Sequence, residues 1–203
     1  MRHSWKYVFC VWLICVAGKS ISGQPVPYGR YTGPRSLGIY SHGRAITSKS
    51  FLAPFGTVPT RRDVYCIADK DDGLYLHASV DAEHDRAHVN SVFLSSFPNC
   101  MHLPLVSARI DPAIWKTPEG IGIGSTRGAV LKAYGRPVFR AGPSKRSYEI
   151  AGIRDSDHIE IDSTDSYVYS CMVDEKHGCD DLRTAQFGFR HGKVIWILIA
   201  DSE

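Results

Sequence analysis

TPEGIGIGSTRGAVLKAYGRP, residues 117–137, is the stretch that decides how the chain folds. A Pro118-Glu119-Gly120 turn opens it, and the short apolar run Ile121-Gly122-Ile123-Gly124 follows. Ser125 and Thr126 are both suited to cap a helix, because a side-chain oxygen there accepts a free amide hydrogen of the first turn. Ala129, Val130, Ala133 and Tyr134 recur at helical spacing and make one apolar face. Gly135 can take the left-handed conformation that ends a helix, and Pro137 prevents a restart. The stretch predicts a short helix with defined ends, structural rather than catalytic.

On its C-terminal side, residues 182–189 and 193–200 flank Arg190-His191-Gly192-Lys193. A two-residue His191-Gly192 loop predicts a hairpin pairing Phe189 with Val194 and Phe187 with Trp196, all toward a core. Gln186, Gly188, Ile195 and Ile197 then take the opposite face. Strands are also expected at 147–153, 159–161 and 167–173, around an acidic loop within 154–165.

On its N-terminal side, residues 47–55 (TSKSFLAPF) read as a second helix, capped by Thr47 and cut short by Pro54, which lacks a donor and clashes with the preceding turn. Strands are expected at 63–68, 74–80 and 88–94. The acidic turn between the first two lacks the spacing of a calcium loop and reads as a hairpin turn. Residues 47–56 end in LAPFG and residues 126–135 in LKAYG, each a capped helix followed by strands. The order of elements thus repeats. The expected fold class is α+β, a tandem repeat of a short helix packed on an antiparallel sheet, with the helices on one face. The first repeat spans 37–100, a proline-punctuated connection 101–116, and the second repeat 117–203.

Residues 1–23 carry Arg2, His3 and Lys6, then the apolar run 8–17, then small residues, the pattern of a signal peptide. Leu13 and Ile14 before Cys15 do not suit lipidation. Residues 24–36, with three prolines and two glycines, read as a flexible lead-in. The whole chain has 24 basic and 21 acidic residues, and Arg2, Lys6 and Lys19 fall in the leader, which has no acid. The remaining chain is therefore balanced, which argues against a nucleic-acid partner. Four cysteines remain after the leader: Cys66, Cys100, Cys171 and Cys179. In an exported chain they suggest two disulfides. Three pairings are open. The short loop between Cys171 and Cys179 favours that bridge, and with it Cys66–Cys100.

GIGIGSTRGAVLKAYGRP followed by FGFRHGKVIWILI resembles the small secreted bacterial domains related to the BamE-type outer-membrane assembly lipoproteins and the β-lactamase inhibitor protein. Gly124, Ser125, Val130, Tyr134, Gly135, Pro137, Phe187, Phe189, Gly192 and Val194 carry the resemblance. It implies helices on one face of a curved antiparallel sheet and, in the tandem inhibitor, an open sheet face that binds a protein. Pro54 and the absence of a suitably placed lipidation cysteine depart from the family pattern.

Catalytic signatures are weak. His84 and His88 would share a helix face as metal ligands, but their surroundings read as a turn. His77 beside Tyr75 offers a base, though a sheet histidine explains it more simply. His158, Glu160 and Asp162 alternate along a strand edge, and His177 falls in the loop before Cys179. Neither a cofactor nor a catalytic residue is assigned. The expectation is an exported, periplasmic or secreted, non-enzymatic protein that binds a protein partner through an open sheet face. Its candidate residues are Tyr65, Tyr75, His77, Tyr167, Tyr169, Ile195 and Ile197, since tyrosine suits recognition surfaces. The alternative is a small exported hydrolase or metal-dependent enzyme using His77, His84 or His158.

Overall fold

The computed structural model describes residues 31–56, 64–81, 88–98, 105–141, 146–148, 159–161, 165–170 and 182–202. The strands are β1 (Ser36–Leu37), β2 (Tyr40–Ser41), β3 (Val64–Asp69), β4 (Leu74–Asp81), β5 (His88–Ser95), β6 (Leu105–Ser107), β7 (Phe139–Ala141), β8 (Arg146–Tyr148), β9 (Ile159–Ile161), β10 (Asp165–Ser170), β11 (Leu182–Arg190) and β12 (Lys193–Ser202). The helices are α1 (Ser48–Leu52) and α2 (Arg127–Tyr134).

Eight strands form one sheet in the order β6-β3-β4-β5-β12-β11-β10-β7, while β1–β2 and β8–β9 form two-stranded sheets. Every pairing in the large sheet is antiparallel except β3 with β6. This corrects the expected tandem α+β repeat. The chain is mostly β, and its large sheet is mixed and continuous. Strands assigned to separate repeats join where β5 pairs with β12, Leu94 opposite Ile197. The segment 101–116, expected to be only a connection, supplies β6 and two buried side chains, Ile110 and Trp115. A helix of five residues and one of eight are too short to make layers of their own.

Both helix starts follow from their caps. Thr126 Oγ1 accepts the Ala129 N–H at 3.1 Å, and Ser125 Oγ accepts the Gly122 N–H at 3.0 Å instead of capping. Gly135, at φ 72°, ends α2 and donates its N–H to Leu131 O. Replacing Thr126 with alanine is expected to cost about 1 kcal/mol, read as a lower urea midpoint with an unchanged m-value. Thr47 caps α1, and Pro54 converts the next turn to a 3-10 turn that Gly56 closes.

The approach to α2 is hydrogen-bonded to the β11–β12 hairpin. Gly124 N–H donates to Val194 O, Val194 N–H to Ser125 O, and Arg127 N–H to Gly192 O, all at 2.8–2.9 Å. The hairpin turn itself is the expected one, with His191 at φ 50° and Gly192 at φ 72°, the two positive values that such a two-residue loop requires.

The hairpin register differs from expectation beyond Phe189. Phe189 faces Val194, but Gly188 faces Trp196 and Phe187 faces Ile197. Ile195 is the extra residue of a β-bulge, and it reverses the face taken by every later residue of β12. Ile197 therefore enters the main core, and Trp196 goes to the opposite face, stacked on Phe93 at 5.6 Å.

That main core gathers Tyr65 and Ile67 of β3, Leu76 of β4, Leu94 of β5, Ile197 and Ile199 of β12, Phe187 of β11 and Tyr169 of β10. Phe51 and Leu52 of α1, Val130 and Tyr134 of α2, Trp115 and Ile121 complete it. Asp69 is also buried. Its carboxylate accepts the N–H groups of Asp71, Asp72 and Ile110, fixing the β3–β4 turn against the segment after β6. The amides of Ile110 and Asp72 are the main reason its carboxyl is held below the usual carboxylate range.

Candidate functional site

The seven expected binding-face residues do not share a face. Pairing across the sheet puts Cys66, His77, Phe93, Leu198, Gln186 and Val168 in one row. The adjoining rows, Ile67-Leu76-Leu94-Ile197-Phe187-Tyr167 and Tyr65-Ala78-Val92-Ile199-Ala185-Tyr169, point the other way. Tyr65, Tyr167, Tyr169 and Ile197 are thus core residues, 6%, 5%, 0% and 0% exposed. His77 is buried on the opposite face, with Tyr75 and Ile195 half-buried. That second face is closed as well. Cys66, Ser79, Ser91, Phe93, Ser95 and Trp196 are all buried there. Neither face of the central strands is open, so the open-sheet expectation is corrected.

The tyrosines entered the core because their rings fill it. Tyr134 stacks on Phe187 at 5.6 Å, Tyr169 meets both edge-on, and Tyr167 packs on Phe189 at 4.8 Å. Among the candidate metal and disulfide positions, His84, His158, Asp162, His177, Cys100, Cys171 and Cys179 lie outside the described residues. His88 opens β5 opposite Asp81. Cys66 is disulfide-bonded.

A different site emerges from segments far apart in sequence. Tyr31, Thr32, Gly33 and Arg35 form one wall of a groove of about 350 Å3, and Pro118, Glu119, Ala133 and Tyr134 form the other. Residues 31–36, assigned to a flexible lead-in, are instead packed: Pro34 is buried, and Gly33 lies so close to Tyr31 and Tyr169 that a Cβ would collide with both. Arg35 and Glu119 are exposed on the rim.

Both walls are held by hydrogen bonds. The Tyr134 hydroxyl is 2.5 Å from Glu119 Oε2 and 2.5 Å from Thr117 Oγ1. It has one proton, so it donates to the carboxylate and accepts from the threonine. Burial, then the bond to Glu119, raises its pKa far above the ordinary phenolic value. No family model, curated protein or solved structure matches this chain. The groove is accordingly read from its own chemistry.

Behind the Tyr31 wall lies a buried polar clasp. The side chain of His42 is 1% exposed. Its Nδ1 is 2.5 Å from Asp201 Oδ1, and its Nε2 is 3.2 Å from the Tyr31 hydroxyl. Asp201 Oδ2 accepts from the Tyr40 hydroxyl and the Gly43 N–H, each at 3.0 Å. Burial alone would raise the Asp201 carboxyl. The bonds from His42, Gly43 and Tyr40, with the charge of His42, outweigh it and hold the group below its ordinary value.

Carboxylate, imidazole and hydroxyl in line is the order of a nucleophilic triad. The hydroxyl, however, is a phenol. It donates to Pro34 O at 2.9 Å, and burial with the negative charge of Asp201 raises its pKa. The proton is held rather than released, so the arrangement works as a structural clasp. Nothing local in the sequence pointed to it, since His42 and Asp201 stand 159 residues apart. Among the described residues there is no helix long and apolar enough to cross a membrane and no group of three potential metal ligands.

Proposed function

We propose that this chain is an exported, non-enzymatic binding protein, inhibitor-like or envelope-assembly-like, that recognises a protein partner through the groove between residues 31–35 and 118–134. The observation that carries this reading is the preorganisation of the groove. The half-buried Tyr31 has its hydroxyl held by Pro34 O, and Glu119 is held by the hydroxyl of the buried Tyr134, beside an exposed Arg35. A tyrosine already fixed in place loses little entropy on binding, and Arg35 and Glu119 supply complementary polar contacts. The signal-peptide pattern of residues 1–23 and the balanced charge of the remaining chain support the same reading. Cys66–Cys100 and Cys171–Cys179 are the disulfides assigned within it.

A photo-reactive residue placed at Ala133 tests the proposal in an envelope extract. A discrete protein adduct is expected, lost in Arg35→Glu and in Glu119→Gln, which removes the charge but keeps an acceptor for the Tyr134 hydroxyl, while stability stays within about 0.5 kcal/mol of the parent in Arg35→Glu. No adduct, or one indifferent to both substitutions, would remove the groove as the recognition site. A hydrolytic activity abolished by His77→Ala would reverse the non-enzymatic reading.

A further inference from the structure

The Tyr31 hydroxyl has a single proton and two polar neighbours. It donates that proton to Pro34 O, leaving its oxygen 3.2 Å from His42 Nε2. Filling the second contact then requires a proton on Nε2. Nδ1 carries another, because the Asp201 carboxylate beside it only accepts. With both bonds made, His42 is an imidazolium paired with a carboxylate. Without the Nε2 proton the ring turns acceptor, and the phenolic proton must leave either Pro34 O or His42 unserved.

The rest of the segment follows from this choice. His42 donates its backbone N–H to Arg35 O, and Gly43 donates its own to Asp201 Oδ2. Tyr31, Pro34 and Arg35 are thereby tied to His42, and His42 to β12. We propose that protonation of His42 latches the 31–35 wall of the groove to Asp201, and that loss of the proton loosens this wall. The latch rests on the groove reading for its functional meaning, though not for its existence.

The surroundings define when the latch holds. The charged groups facing the clasp are Asp201 of β12 and Arg183 of β11, the latter with a guanidinium nitrogen 2.9 Å from where a Gly43 side chain would begin. Tyr31 and Tyr40 face the ring edge-on as neutral groups, and Glu119 adds negative charge near Tyr31 from across the groove. The pair is complete while Asp201 is ionised and His42 protonated. Protonation of Asp201 opens it in acid, and deprotonation of His42 opens it from the other side.

NMR of the whole protein with 15N-labelled histidine tests this between about pH 5 and 8, where imidazoles titrate. At the lower end both His42 ring nitrogens should show imidazolium shifts. As the ring titrates, the Gly43 amide should exchange about tenfold faster, after correction for intrinsic exchange. Tyr31→Phe keeps the Asp201 contact and removes the Nε2 partner, so the step should shrink. His42→Gln, where it folds, should show none. A His42 ring neutral throughout, or a Gly43 rate with no step at the His42 titration, overturns the latch. These readouts need no partner: a normal titration without an Ala133 adduct sinks the groove reading alone. An adduct from a protein lacking the Gly43 step sinks the latch alone.

Discussion

Gly188→Val is expected to lower stability by about 3–5 kcal/mol, a large share of the roughly 5–15 kcal/mol typical of a folded domain. Gly188 lies opposite Trp196, and the indole folds directly across it. A Cβ at position 188 would fall 1.8 Å from Nε1 and 2.0 Å from Cε2 of that ring. No side-chain adjustment at 188 relieves this, because the first added atom already overlaps the ring. The indole, 0% exposed and stacked on Phe93, must leave its place. The cost then approaches that of truncating a buried tryptophan. Urea unfolding and a red shift in tryptophan emission should report it together. Pairing Gly188→Val with Trp196→Ala should cost clearly less than the two changes added, since both lose the same contact. A loss under about 1 kcal/mol with unchanged emission would mean that the ring does not lie over the glycine.

Asp201→Ala should cost about 3 kcal/mol near neutral pH. The substitution removes acceptors from His42, Tyr40 and Gly43 at once. The single Tyr40 proton, shared between Asp201 Oδ2 and Asn90 O, keeps the latter at 2.7 Å, but the enclosed Nδ1 of His42 loses its carboxylate. The 30% exposure of Asp201 keeps the loss below that of a fully enclosed ion pair. The pH dependence has a definite sign. The folded-state carboxyl is held below its unfolded value, so on the acid side the parent's advantage is present above the unfolded carboxylate pKa, about 3.9. It fades as pH falls through the lower folded value. Parent and variant should converge in acid. A difference that persists unchanged there would assign the loss to packing instead of the charge.

Local features were legible in the sequence. Thr47, Thr126, Pro54 and the His191-Gly192 turn act through neighbours within a few residues, and the structure uses each as the residue type dictates, while Gly135 ends α2 at positive φ but with ψ −151°, outside the left-handed helical region. What depends on pairing parity was not. One bulged residue, Ile195, exchanges the faces of Trp196 and Ile197, and hydropathy cannot see it because both residues suit either side. Strand β6 has three residues in a proline-punctuated segment, and its partner β3 lies across a parallel crossover that leaves no hairpin signal. Tyr65 of β3 and Tyr167 and Tyr169 of β10 stand on alternating positions beside Val64, Cys66 and Val168, a pattern that fits an exposed recognition face as well as an aromatic core. The groove and its clasp needed the ends of the chain to meet. Tyr31 sits in a segment whose prolines and glycines suggest flexibility, and Asp201 stands in β12 just after an apolar run, with nothing nearby to mark it.

The junction of β5 with β12 also governs how the protein reaches this state. Ser96 donates to Ile195 O across 99 residues of chain, at the middle of the sheet. Each flanking set of strands, β3–β5 and β10–β12, can zip locally, but the central seam closes only after a long loop has been gathered. Until then β5 and β12 each present an unpaired edge to any other chain. Nascent chains should therefore be most vulnerable to intermolecular strand exchange through the two strands that end up best protected.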